Sequence, residues 1–73
     1  MTRAEHLEWA KKRALEYVEK GLLGQGFASF VSDLNKHDEL RGHAGIQLGA
    51  ILLANNHLHT QREMKEFIEG FNA

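Results

Sequence analysis

The chain has 73 residues, no cysteine and no proline, with 42% of positions apolar and nine basic residues against ten acidic ones. That length predicts one domain over residues 1–73, near the lower limit at which a core forms without staples, and the missing cysteines exclude disulfides and thiolate metal sites. A formal net charge of −1 argues against a dedicated nucleic-acid binder, which carries a basic surplus to displace counterions.

The opening residues, Met1-Thr2-Arg3-Ala4-Glu5-His6, are polar and hold no apolar run of the signal-peptide kind. Thr2 followed by Glu5 has capping-box spacing and starts a first helix. Glu8 with Lys12 and Glu16 with Lys20 are correctly oriented i,i+4 pairs that carry it to about Lys20. Leu7, Ala10, Ala14, Tyr17 and Val18 form its apolar stripe, and Gly21 is placed to end it in the left-handed conformation. A second helix is predicted from Leu23 or Gln25 to His37, with Phe27, Phe30, Val31 and Leu34 as its stripe. Gly24 and Gly26 weaken its first turn, each costing about 1 kcal/mol relative to alanine.

The polar stretch from Lys36 to Gly42 reads as a connection. A third helix is predicted from Ala44 to Ala54. Its Ile46, Leu48, Ile51, Leu52 and Leu53 point around most of the circumference, which predicts a helix either central in the bundle or covered by a partner. Gly45 and Gly49, one turn apart, make a flat strip for close helix approach. The stretch from Ile46 to Ala54 is the longest mostly apolar one, about half of what a membrane crossing needs, so no membrane association is expected and the cytoplasm is the expected location. Asn55-Asn56-His57 is a stop. Thr60 and Glu63 repeat the capping-box spacing and open a last helix from Gln61 to about Glu69, with Met64, Phe67 and Ile68 as its face, Gly70 as its stop and Phe71 folding back.

No residue cluster announces a chemistry. Five histidines invite a metal reading, but zinc needs at least three converging protein ligands, and only Glu63 or Asp38 would complete His57 and His59. Acid–base pairs such as His6 with Glu5, or His43 with Asp38 or Glu39, require a concave, partly dry site that so small a core has little room for. No phosphate-binding glycine loop and no nucleophile on a strand-to-helix turn is present. No catalytic residue, cofactor or metal site is therefore expected. Lys11-Lys12-Arg13, with Arg3 and Lys20, forms a local basic patch, but Glu5, Glu8, Glu16 and Glu19 are interleaved with it as on a solvated face. Trp9, off the main stripe, is the aromatic best placed for a partner, and covering the core edge or packing on Phe71 are its structural alternatives.

The first hairpin resembles one unit of a tetratricopeptide repeat. Ala14, Tyr17, Gly21, Gly26 and Phe30 carry the pattern. Ala10, Asp33 and Asp38 depart from it, standing where the repeat has a large aromatic, a small residue and often proline. Over nearly its whole length the chain also resembles small helical accessory proteins encoded by bacteriophages and prophages. Met1 to Trp9, Arg13-Ala14-Leu15-Glu16-Tyr17 and Phe67-Ile68-Glu69-Gly70-Phe71-Asn72 carry this likeness. The resemblance implies a bacterial host cell as the setting and a host protein as the partner, and it implies no functional residues.

These readings predict an all-α fold, a small bundle of about four short helices that begins with an antiparallel helical hairpin. The expected function is non-enzymatic binding of a host protein through Trp9, Lys12, Arg13 and Glu16. The alternatives are a self-associating protein, with a two-fold homodimer built on Gly45 and Gly49, and a nucleic-acid-linked transcription regulator using Arg3, Lys11, Lys12 and Arg13.

Overall fold

All four predicted helices form, as α1 (Arg3–Glu19), α2 (Leu23–Leu34), α3 (Ala44–Ala54) and α4 (Gln61–Glu69). The computed structural model describes residues 2–72. Met1, where the likeness to the phage proteins begins, and Ala73 lie outside the described residues, among which there is no strand.

The start of α1 follows from the capping box. The Thr2 hydroxyl accepts from the Glu5 amide at 3.1 Å, and the Glu5 carboxylate accepts from the Thr2 amide at 2.9 Å. The Thr2 backbone amide, and then its hydroxyl, hold the Glu5 carboxyl below its ordinary value of 4.5. Leu7, Ala10, Ala14 and Val18 are buried, while Tyr17, at the edge of the stripe, is only half-buried. The helix ends as its glycine predicts. Gly21 takes φ +79°, its amide donates to the Val18 carbonyl at 2.9 Å, and the Leu22 amide donates to the Tyr17 carbonyl at 3.0 Å, the two bonds of a Schellman turn. Neither predicted i,i+4 ion pair of α1 is found among the described residues. Lys11 instead lies 3.9 Å from Glu8 and donates to the Glu69 carbonyl at 3.0 Å, which ties α1 to the end of α4.

The α1–α2 hairpin closes at Gly26. A Cβ there would stand 3.1 Å from the Ala14 carbonyl oxygen and 3.1 Å from a Val18 methyl. The glycine that weakens the first turn of α2 is thus what lets the two backbones approach. No side chain caps α2, whose N-cap is Leu22. The helix stops at Leu34, short of the predicted His37, and the chain turns through residues 35–42. That connection is not wholly polar in use: Leu40 is 0% exposed and joins Phe30, Leu34, Met64 and Ile68 in the core. Each such side chain contributes about 1.5–3 kcal/mol on burial. Leu58, between two exposed histidines, is also buried, at φ +57°.

The third helix is not central. Gly49 is its only fully buried residue. Gly45 and Gly49 face the protein's own rings: a Cβ on Gly45 would stand 2.5 Å from Phe71, and one on Gly49 2.7 Å from both Phe27 and Phe67. The flat glycine strip is therefore a seat for aromatic side chains of α2, α4 and the tail, and it is filled within one chain. The Thr60 hydroxyl accepts from the Glu63 amide at 3.1 Å to start α4. After Gly70, Phe71 folds back as predicted and meets Phe30 edge-on with ring centroids 5.1 Å apart.

Candidate functional site

The outer face of the α1–α2 hairpin is organised by one buried acid. Asp33 follows Phe30 by three residues and precedes Leu34, which places it on the inward side of α2, where it is 2% exposed. An unpaired buried carboxylate is costly, and here it is paired twice. Arg13 Nε donates to it at 2.7 Å and Lys36 Nζ at 3.2 Å. Both cations also lie over the Trp9 ring, the Arg13 guanidinium carbon at 5.0 Å and Lys36 Nζ at 5.8 Å from its centroid, within the range of cation–π attraction. The His6 ring stands 5.1 Å from that of Trp9 and 5.1 Å from that of His37. His6 Nε2 is hydrogen-bonded to the Asp33 carbonyl oxygen, so α1, α2 and the following turn meet in one cluster.

The expected contact residues Trp9, Lys12, Arg13 and Glu16 all lie on α1, with different surroundings. Trp9 is half-buried at the edge of the core among His6, Arg13 and Lys36, not packed on Phe71, and Arg13 is tied to Asp33. Lys12 lines a different hollow, about 500 Å³ between α1 and α4, with Glu8, Glu19 and Glu69, and Glu16 lies on the rim between the two. The four residues are spaced i, i+3, i+4 and i+7 and so share one side of α1, but they divide between the Trp9 cluster and the hollow beside α4. The basic patch divides in the same way. Arg3 lies 3.7 Å from Glu39, Lys11 is held by Glu8 and Glu69, and Arg13 by Asp33.

The acid–base and metal candidates sit apart. The Glu5 carboxylate caps its own helix. His43 caps α3, its Nδ1 accepting from the Gly45 amide at 2.9 Å, while Asp38 pairs with Arg41 at 3.4 Å. His59 Nδ1 lies 3.2 Å from Glu63 Oε1, which also accepts from the Thr60 hydroxyl at 3.2 Å. Among the described residues no three His, Asp or Glu side chains converge on a point where an ion would sit.

The second face is α3. Its inward side is filled by rings, and its outward side carries Leu48 at 53% and Ile51 at 57% exposure. No charged residue occurs between Ala44 and Ala54. Beside Leu48 runs a mostly apolar groove of about 330 Å³, bounded by His43, Glu66, Phe67 and Phe71. Among the described residues no helix is long and apolar enough to cross a membrane.

Two signals in the sequence mark these faces: an acid inside the apolar stripe of α2 with a lysine three residues on, and a helix without a single charge. Comparison of the chain with protein families, with curated proteins and with solved structures finds no match.

Proposed function

We propose that this chain is a non-enzymatic protein-binding module, a bacteriophage or prophage accessory protein that occupies a surface on a protein of the host cell, in the cytoplasm. The observation that supports binding is the outward side of α3, where Leu48 and Ile51 stand in water on an uncharged helix beside the Phe67–Phe71 groove. Contiguous exposed apolar surface of this kind marks interaction sites on soluble proteins. The phage setting rests on the sequence resemblance, and the host partner follows from that setting.

Affinity capture from bacterial lysate, run in parallel with the native chain and a Leu48→Ser, Ile51→Ser double variant, tests the reading. A stoichiometric host protein retained by the first and lost by the folded variant supports it, and identical captures overturn it. The same uncharged ridge favours a second reading, self-association, because a two-fold contact between α3 helices buries no charge. Sedimentation equilibrium separates the two: a native dimer that the double variant abolishes points to a second copy, and a strict monomer to a foreign partner.

A further inference from the structure

We propose that the α1–α2 groove is a docking site for a short acidic protein segment, whose carboxylates are received by the Arg13 guanidinium and the Lys36 ammonium above the face of Trp9. The groove is distinct from the α3 face. It has a volume of about 390 Å³ and is lined by Arg13, Tyr17, Gln25, Ser29, Ser32 and Lys36 together with Ala28 and the Asp33 carboxylate. All but Ala28 and Asp33 carry a hydrogen-bond donor, and Asp33 is already engaged by Arg13 and Lys36. Ser29 Oγ is buried without a hydrogen-bond partner among the described residues, although buried hydroxyls are normally paired. A channel whose donors outnumber its single, already engaged carboxylate suits an acceptor-rich ligand.

The cations are built for that ligand. Asp33 is 2% exposed, whereas the side chains of Arg13 and Lys36 are 47% and 58% exposed. Asp33 takes one edge of each cation and leaves the other donors facing water. Its charge offsets one of the two, so the trio keeps a net positive charge. Stacking on Trp9 and pairing with Asp33 fix the two side chains in advance, which lowers the ordering cost of binding. A planar guanidinium is also the group best matched to a carboxylate.

Size and surrounding charge favour a protein segment over nucleic acid. From Gln25 to the end of α2 at Leu34 the groove wall is about 14 Å long at 1.5 Å per residue, the length of about four residues of extended chain. Beyond its edge α1 presents Glu8, Glu16 and Glu19, with Glu69 of α4 beside them, against Lys11 and Lys12, an acidic excess that disfavours a continuing polyanion.

The test uses the full chain and an end-capped hexaglutamate peptide, with the fluorescence of Trp9, the single tryptophan, as readout at low ionic strength. The peptide produces a saturable change that fades as salt is raised. Lys36→Gln weakens binding about fivefold or more, and Arg13→Lys weakens it despite keeping the charge. Lys65→Gln, a charge-matched change on α4 outside the groove, leaves binding within about twofold, as does the Leu48→Ser, Ile51→Ser variant, so this test and that of the α3 face fail independently. No saturable change, equal losses from Lys36→Gln and Lys65→Gln, or tighter binding of a ten-base oligothymidylate than of the peptide each overturns the proposal.

Discussion

On the α1–α2 face the buried group is a carboxylate and the groups reaching water are its two cations; on α3 the buried groups are glycine and aromatic rings, and the groups reaching water are aliphatic. The hairpin is drawn together by backbone proximity at Gly26 and by Asp33, so Arg13, Asp33 and Lys36 have partners within the chain. The third helix is held by Phe27, Phe67 and Phe71 seated against two glycines, which use one side of an all-round apolar helix and leave the other uncovered. A surface whose polar groups are already paired gains specificity from the few donors left over. A helix face without charge gains affinity from burial and little orientation. The two faces are thus suited to different partners or to different parts of one.

The largest effect expected is on the core that both faces share. Phe30→Ala, at a side chain 1% exposed, should cost about 3–5 kcal/mol, close to the whole stability of so small a domain. Loss of a cooperative urea transition followed by circular dichroism is the expected result. Next comes the seat of α3. Gly49→Val drives a branched side chain into rings that even a Cβ would approach to 2.7 Å and should destabilise by about 1–3 kcal/mol. The accompanying shifts in NMR spectra should centre on Phe27 and Phe67 and spare Trp9; a perturbed Trp9 with quiet phenylalanines would contradict the separation of the two faces.

Asp33→Asn should cost only about 1 kcal/mol, because the released cations are half in water and find solvent instead. A double-mutant cycle with Lys36→Gln measures the coupling, and a value of several kcal/mol would mean that the pair is far less screened than its exposure indicates. The Leu48→Ser, Ile51→Ser variant should shift stability by no more than about 0.5 kcal/mol per site, since neither side chain is buried. A large loss in thermal denaturation would place both residues in the core. The smallest effect is at the helix start. The folded Glu5 carboxyl titrates below its ordinary 4.5, so its contribution is complete above that value and is lost as pH falls through the lower folded one. NMR titration should show the Thr2 amide moving with Glu5 below pH 4.5, and Glu5→Gln should remove that movement.

Much of the fold was open to reading from local patterns. Thr2 with Glu5, Gly21, and Thr60 with Glu63 are short-range devices whose partners lie within five residues, and the apolar period between them is a property of one helix at a time. Those features set four helices, and the bounds of α3 and α4 agree with the prediction. What the residues could not announce singly was which neighbour each apolar face would meet. The glycines of α3 were as suited to a second copy as to Phe27, Phe67 and Phe71, and the choice followed from the packing of α2 and α4 beneath them. Leu40 and Leu58 sit in polar stretches and gained their burial from helices distant in sequence. Arg13, Asp33, Lys36 and Trp9 became one cluster only when the hairpin closed at Gly26. Local hydrogen bonds are decided within a turn of chain, whereas burial and charge pairing depend on surfaces that exist only after the helices have met.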